Sequence, residues 1–207
     1  MQGNTITYEV GSALYVNMTN RCPNACTFCI RNNGDGAYGS DSLWLSAEPD
    51  KEEVLREIEK RDISKYTELV FCGYGEPTER LFDLLWVAEN FKKKYDLPVR
   101  INTNGQANLI FGEKVAPQFA GKIDVVSISL NAPSAEAYQA VCKSRFGEAA
   151  FDSILDFAAE VKHYVPKVVF TVVDAALSPS EIEECRKIAD RVGIPLRVRT
   201  YIGKDGK

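Results

Sequence analysis

Short apolar runs alternate with amphipathic stretches along most of this sequence, and that alternation restricts the fold more than any other feature. The runs at 12–18, 68–73, 98–103, 122–130, 167–173 and 195–201 have the length and the β-branched or aromatic content of strands. Helices are expected over 49–61, 78–95, near 112–120, 134–141, 148–163 and 178–192. Pro49 and Asp50 are start signals for the first, and Ser180 with Glu183 is expected to form a capping box on the last. Six strands, each of the first five followed by helix, imply parallel strands joined by right-handed crossovers. With 207 residues the chain is too short for an eight-unit barrel, which takes about 250. An open doubly wound sheet and a partial barrel remain.

Strand parity separates the two. Alternate side chains on a strand face opposite ways. Ser127, Ser129 and Asn131 share one face, opposite Val126, Ile128 and Leu130. Arg100, Asn102 and Asn104 oppose Val99, Ile101 and Thr103. Arg197, Arg199 and Tyr201 oppose Leu196, Val198 and Thr200, and Tyr15 and Asn17 oppose Leu14, Val16 and Met18. A sheet covered by helices on both faces would be apolar on both. The recurring polar face predicts several strands around one polar cavity. The expected fold is therefore α/β: a single domain over 1–207 forming a partial (βα)6 TIM-like barrel of six parallel strands, with a polar tail at about 203–207.

In either architecture chemistry gathers at the C-terminal ends of the strands. There the sequence reads Thr19-Asn20, Gly73-Tyr74-Gly75-Glu76, Asn102-Thr103-Asn104-Gly105, Ser129-Leu130-Asn131, Asp174 and Tyr201. A loop at about 19–46 carries Cys22, Cys26 and Cys29, spaced Cys-x3-Cys-x2-Cys. Three thiolates this close converge readily on one metal centre. A structural zinc site wants four closed ligands, and no nearby His or fourth Cys supplies the last. Three cysteines on a four-iron cluster leave one iron open, so iron–sulfur chemistry fits the count better; zinc with a remote fourth Cys is the alternative. The chain has one His, His163, so a site with two or three histidines is excluded. A net charge of −4 argues against a general nucleic-acid-binding surface. The N-terminus lacks a basic segment followed by an apolar run, and no stretch of about 18 apolar residues occurs, so no membrane association and a cytoplasmic location are expected.

The segment NRCPNACTFCIR, with Phe28 just before the third cysteine, resembles the radical S-adenosylmethionine (SAM) superfamily. The resemblance extends to Gly73–Thr78, Asn102–Gly105 and Ser127–Asn131 at successive strand ends. CGYGEPT, NTNGQANL, SISLNAP, RFGEAAF and TVVDA look more narrowly like the small TatD-associated radical SAM proteins. The resemblance implies that Cys22, Cys26 and Cys29 hold a [4Fe–4S] cluster whose open iron binds SAM. It implies reductive cleavage of SAM to a 5′-deoxyadenosyl radical that abstracts hydrogen from a substrate the sequence does not identify. Phe28, Gly73, Tyr74, Gly75, Glu76, Asn104, Ser129, Asn131 and Val173 are the corresponding cofactor-binding candidates, with backbone carbonyls at 73–75 and the Glu76 carboxylate suited to the methionine ammonium. An external electron donor of flavodoxin or ferredoxin type and a link to a TatD-type hydrolase are the implied partners.

Asn17, Arg100, Arg197 and Arg199 are the substrate-binding candidates, because cationic side chains in a cavity ask for anions and SAM supplies one carboxylate. Salt bridging to acids such as Asp124, Asp174 or Glu76, or display to solvent from an edge strand, is the competing role. Cys72, Cys142 and Cys185 are expected to be buried structural cysteines. The sequence marks no acid–base catalyst. Three other functions stay open: an activase that makes a glycyl radical on a partner protein, a non-catalytic iron–sulfur or SAM-binding sensor, and a zinc-stabilised binding module.

Overall fold

The strands lie side by side in the order in which the chain makes them. The computed structural model describes residues 4–201. Its strands are β1 (Thr7–Val10), β2 (Ala13–Val16), β3 (Glu68–Phe71), β4 (Val99–Thr103), β5 (Val125–Ser129), β6 (Lys167–Val173) and β7 (Leu196–Arg199), paired as β1-β2-β3-β4-β5-β6-β7. The β1–β2 pair is antiparallel and every later pair is parallel. The helices are α1 (Lys51–Glu59), α2 (Leu81–Lys92), α3 (Ala107–Phe111), α4 (Ala135–Cys142), α5 (Ala149–Val161) and α6 (Pro179–Val192).

Sequential order has a consequence for shape. Each right-handed crossover steps in the same direction, so all helices fall on one face. The other face has no helix to cover it, and it curls inward. Two apolar clusters record the two faces. The larger joins Leu14, Val16, Leu69, Phe71, Ile101, Ile128 and Phe170 to the helices. The smaller, on the inner face, joins Tyr8, Ala13, Tyr15, Val70 and Tyr74 to Ala37 and Leu43 of the long β2–α1 loop. Among the described residues β7 and β1 do not pair, so the barrel is partial.

Local chemistry sets the helix ends. Asp50 caps α1 by accepting from Glu53 N at 2.6 Å, and Val54 and Ile58 are the residues α1 buries. The capping box of α6 is Ser178 with Glu181, two residues before the expected pair. Pro179 explains the shift: it favours the first helical position, which makes the preceding serine the cap. The helix expected near 112–120 is instead α3, ended by Gly112 at φ +69°, and a separate 3₁₀ turn at Ala116–Phe119 that starts beside Pro117.

Among the described residues the sheet has seven strands, one more than the six the sequence predicts; the additional strand is β1. Its sequence, TYEV, is only four residues long and is broken by Glu9. The hairpin signal was present in Gly11-Ser12, with Gly11 at φ +58° in a two-residue turn. The polar tail at 203–207 lies outside the described residues.

Candidate functional site

The β2–α1 connection, residues 17–50, carries the three cysteines and is tied down along its length. Ala25 N donates to Cys142 O at 3.0 Å, Thr27 N to Val141 O at 2.9 Å, and Arg145 N to Pro23 O at 2.8 Å, so the loop lies along the C-terminal end of α4. Beneath it is a buried polar network. Asn24 Nδ2 and Gln106 Nε2 both donate to Tyr138 Oη, at 2.9 and 2.8 Å. Gln106 Nε2 also donates to Asn24 Oδ1 at 2.9 Å, and Ser144 Oγ donates to Gln106 Oε1 at 2.8 Å. Farther along, Tyr74 Oη donates to the carbonyls of Gly34 and Gly36 at 2.7 and 3.0 Å, and Asn33 Nδ2 donates to Tyr201 Oη at 3.1 Å.

So held, Cys22, Cys26 and Cys29 stand half-buried on the wall of one cavity of about 220 Å³ at the C-terminal edge of the sheet. As free thiols Cys22 and Cys26 are hard to ionise. Burial, with the nearby Glu76 charge, pushes Cys22 up to about 12. Cys26 is raised by its hydrogen bond to Cys142 and then by burial. Among the described residues no three His, Cys, Asp or Glu side chains are drawn together tightly enough for one ion. A four-iron cluster spreads its thiolates wider than a single ion does, so an array along a cavity wall suits it.

The Gly73–Glu76 turn lines the same cavity. A Cβ on Gly73 would fall 2.7 Å from Asn17 Cγ, and one on Gly75 would fall 2.7 Å from Arg21 O and closer still to Thr19 O. Both glycines are thus required by the root of the cysteine loop, whatever ligand their carbonyls meet. The Tyr74 side chain is turned to the loop, packing edge-on against Trp44 with ring centroids 5.0 Å apart. Glu76 is 4% exposed and bridges two strand ends. Its Oε1 accepts from Thr78 N (3.1 Å), Thr78 Oγ1 (2.7 Å) and Thr103 Oγ1 (2.6 Å), and its Oε2 from Asn104 N (2.7 Å). Burial raises the pKa of this carboxyl and the hydrogen bonds oppose the rise. Oε2 keeps a lone pair for a further donor.

Phe28, Asn104, Ser129, Asn131 and Val173 all line the cavity. Asn104 Oδ1 accepts from Gln106 N at 2.9 Å, while its buried Nδ2 has no partner. Asn131 sits at φ +56°, a left-handed conformation that asparagine tolerates, with Nδ2 4.0 Å from Cys142 Sγ.

The four substrate candidates do not stay together. Asn17 does not line the cavity: it is fully buried, and its Nδ2 donates to Thr5 O and Leu43 O at 3.1 and 2.8 Å. Arg100 is ion-paired with Glu68, and Arg197 is exposed on β7. Only Arg199 reaches the cavity wall. Of the remaining cysteines, Cys142 and Cys185 are buried, and Cys72 lines the cavity. Asn102 and Tyr201, which the sequence places at strand ends, also line it, as do Tyr8, Asn24 and Tyr38, which the sequence does not mark. Asn102 shares the parity of Arg100 and Asn104, which was the signal for it. Tyr8 depended on recognising β1. Tyr38 is set by loop conformation, for which the sequence carries no signal.

A cysteine-lined cavity over the C-terminal ends of a sequentially ordered parallel sheet defines a class: an α/β partial barrel equipped for a cluster and a polar ligand beside it. The residues fit such a pair, with thiols on one wall, an orphaned Asn104 amide, and a carboxylate with spare acceptor capacity. The family model for the radical SAM superfamily matches residues 16–191. The chain belongs to the radical SAM superfamily, whose members use a [4Fe–4S] cluster and SAM. Solved structures with the same fold include Streptococcus suis SuiB bound to precursor peptide SuiA, at 18% identity and TM-score 0.66, covering 94% of this chain and 40% of that one. A radical SAM methyltransferase from Sphaerobacter thermophilus matches at 14% identity and TM-score 0.66, covering 96% and 70%. SuiB bound to S-adenosylmethionine matches at 20% identity and TM-score 0.62, covering 91% and 38%. The chain thus spans about 40% of the SuiB chain it matches. No curated protein matches the sequence. No described helix is long and apolar enough to cross a membrane.

Proposed function

We propose that this chain is the catalytic core of a radical SAM enzyme, a single domain over 1–207 acting in the cytoplasm. Cys22, Cys26 and Cys29 hold the [4Fe–4S] cluster. The carbonyls of residues 73–75 and Glu76 Oε2 receive the methionine ammonium. Asn104 Nδ2, Ser129 and Asn131 take the polar groups of SAM, and Phe28 and Val173 supply apolar wall. The observation that carries this reading is the convergence of the three thiols, the Glu76 carboxylate and the orphaned Asn104 amide on one cavity. When bound and reduced by an external flavodoxin- or ferredoxin-type donor, the cluster held by Cys22, Cys26 and Cys29 would supply the electron for reductive cleavage of SAM to methionine and a 5′-deoxyadenosyl radical, which would take hydrogen from substrate. The protein's own part is to orient and to exclude water. Thr78, Thr103 and Asn104 N fix the Glu76 carboxylate before any ligand arrives, so little reorganisation accompanies binding.

The narrower likeness, on CGYGEPT, NTNGQANL, SISLNAP, RFGEAAF and TVVDA, supports placing the chain with the TatD-associated radical SAM proteins and linking it to a TatD-type hydrolase. Anaerobic incubation of the reconstituted, dithionite-reduced protein with SAM tests the reading. It should yield 5′-deoxyadenosine and methionine in equal amounts, slowly without substrate. Tight SAM binding with no cleavage would indicate a sensor instead, and glycyl radical on an added partner protein would indicate an activase.

A further inference from the structure

The inner face of the sheet carries three arginines, Arg100 on β4 and Arg197 and Arg199 on β7, and they differ in what answers their charge. Arg100 is closed off. Its Nε and Nη2 meet the two oxygens of Glu68 at 2.9 and 2.7 Å, its Nη1 meets Asn102 Oδ1 at 2.8 Å, and its guanidinium lies 5.9 Å from the Tyr15 ring centroid. Glu68 is thereby occupied. Among the described residues Arg197 and Arg199 make no hydrogen bond or ion pair through their side chains.

Among the described residues neither Asp174 nor Glu76 forms an ion pair with Arg197 or Arg199. Asp174 Oδ1 accepts from the Tyr201 backbone N–H at 2.9 Å. Glu76 is enclosed by Thr78, Thr103 and Asn104. Yet Arg199 is half-buried and lines the cavity with Tyr38 and Cys72. The protein also brings like charges together. Partial desolvation, and then repulsion from Arg100 and Arg199, hold the Arg197 guanidinium below its ordinary range although much of it is exposed. A half-buried guanidinium with no acid partner among the described residues, and with the unpaired Arg197 two residues before it on the same strand, is a field awaiting an anion. Its planar edge presents paired N–H groups that match a carboxylate or phosphate. β7 is the edge strand of the sheet among the described residues, so this wall borders the open side of the barrel.

We propose that Arg199, supported by Arg197, anchors an oxyanion of the substrate, carboxylate or phosphate, on the β7 wall of the cavity. The anchor fixes the substrate's orientation relative to the cofactor wall. This inference rests on the radical SAM reading of the cavity, and its test is arranged to fail separately.

The test is calorimetric titration of the anaerobically reconstituted holoenzyme at constant ionic strength, with inorganic phosphate in one arm, malonate in the other and chloride as the reference. Saturable binding of about one equivalent of phosphate or malonate is expected, and the arm that binds tells phosphate from carboxylate. Arg199→Gln should weaken it at least 10-fold, Arg199→Lys about 3-fold, because charge survives without the fork, and Arg197→Gln about 2–5-fold. SAM affinity of Arg199→Gln should stay within about 2-fold of wild type. The proposal is overturned if neither anion binds better than chloride, or if Arg199→Gln binds them as wild type does. It is also overturned if Arg199→Gln loses SAM in parallel, since Arg199 would then hold the SAM carboxylate. If Arg199→Gln does not fold, unchanged affinity in both Arg199→Lys and Arg197→Gln overturns it. Arginine-dependent anion binding in a protein that never cleaves SAM would uphold the anion site and sink the radical reading alone.

Discussion

Replacing Tyr138 by Phe removes one oxygen and almost no volume, which makes it a sharp probe of how the cysteine loop is held. The Tyr138 side chain is completely buried, and its Oη accepts from Asn24 Nδ2 and Gln106 Nε2 at 2.9 and 2.8 Å. Without it, one N–H on each amide loses its partner inside the protein. Gln106 keeps Asn24 Oδ1 at 2.9 Å, so the network is reduced and not abolished. A buried donor left unsatisfied costs about 1–3 kcal/mol, and partial relaxation brings two of them to roughly 2–4 kcal/mol. At about 2–4 °C per kcal/mol for a chain of this size, Tm should fall by roughly 4–16 °C. Asn24 lies between Cys22 and Cys26, so the loss should be felt in the loop. Hydrogen exchange at Ala25 and Thr27, whose N–H groups bond α4, should quicken in the reconstituted Tyr138→Phe protein while the central strands stay protected. An unchanged Tm together with unchanged exchange at those two amides would refute the reasoning.

Gly75→Ala should fail to assemble the site, because the added Cβ meets backbone carbonyls that cannot rotate away; iron content well below wild type in otherwise folded protein is the expected result. Asn104→Ala should cost only about 1 kcal/mol of stability, the bond to Gln106 N, yet lower SAM affinity about 5–10-fold in equilibrium dialysis, because Nδ2 has no partner within the protein. Arg100→Gln should lower stability by about 1–2 kcal/mol in urea unfolding, less than a fully buried pair because Glu68 is 27% exposed, and adding Glu68→Gln should restore part of it.

The legible part of the fold was what depends on period. Strands β2 to β7 followed from apolar runs, and the polar inner face followed from parity on β4, β5 and β7. The four-residue segment TYEV is too short and too polar to register as a strand, so β1, and with it Tyr8, is not legible. The cysteine motif and the Gly73–Glu76 turn were legible because their residue types are unusual for plain loops. What they bind to within the protein was not. That Asn17 fills the space beside Gly73, that Thr103 and Asn104 clamp Glu76, and that Glu68 claims Arg100 are facts of tertiary approach between distant segments. Parity placed Arg100, Arg197 and Arg199 on one face, but which of them lacks an acid depends on Glu68 at the start of β3, and spacing along β4 and β7 carries no trace of it.

The central claim is that Cys22, Cys26 and Cys29 present a cluster with one iron open to SAM. Its most direct test is electron paramagnetic resonance of the anaerobically reconstituted, reduced protein with and without SAM. The account predicts a reduced [4Fe–4S] signal at about four iron per chain, a change in that signal on adding SAM, and loss of both when the three cysteines are replaced together. Single replacement of Cys72, Cys142 or Cys185 should leave the signal in place. A cluster signal that survives the triple replacement, or one that SAM leaves unaltered, would contradict it.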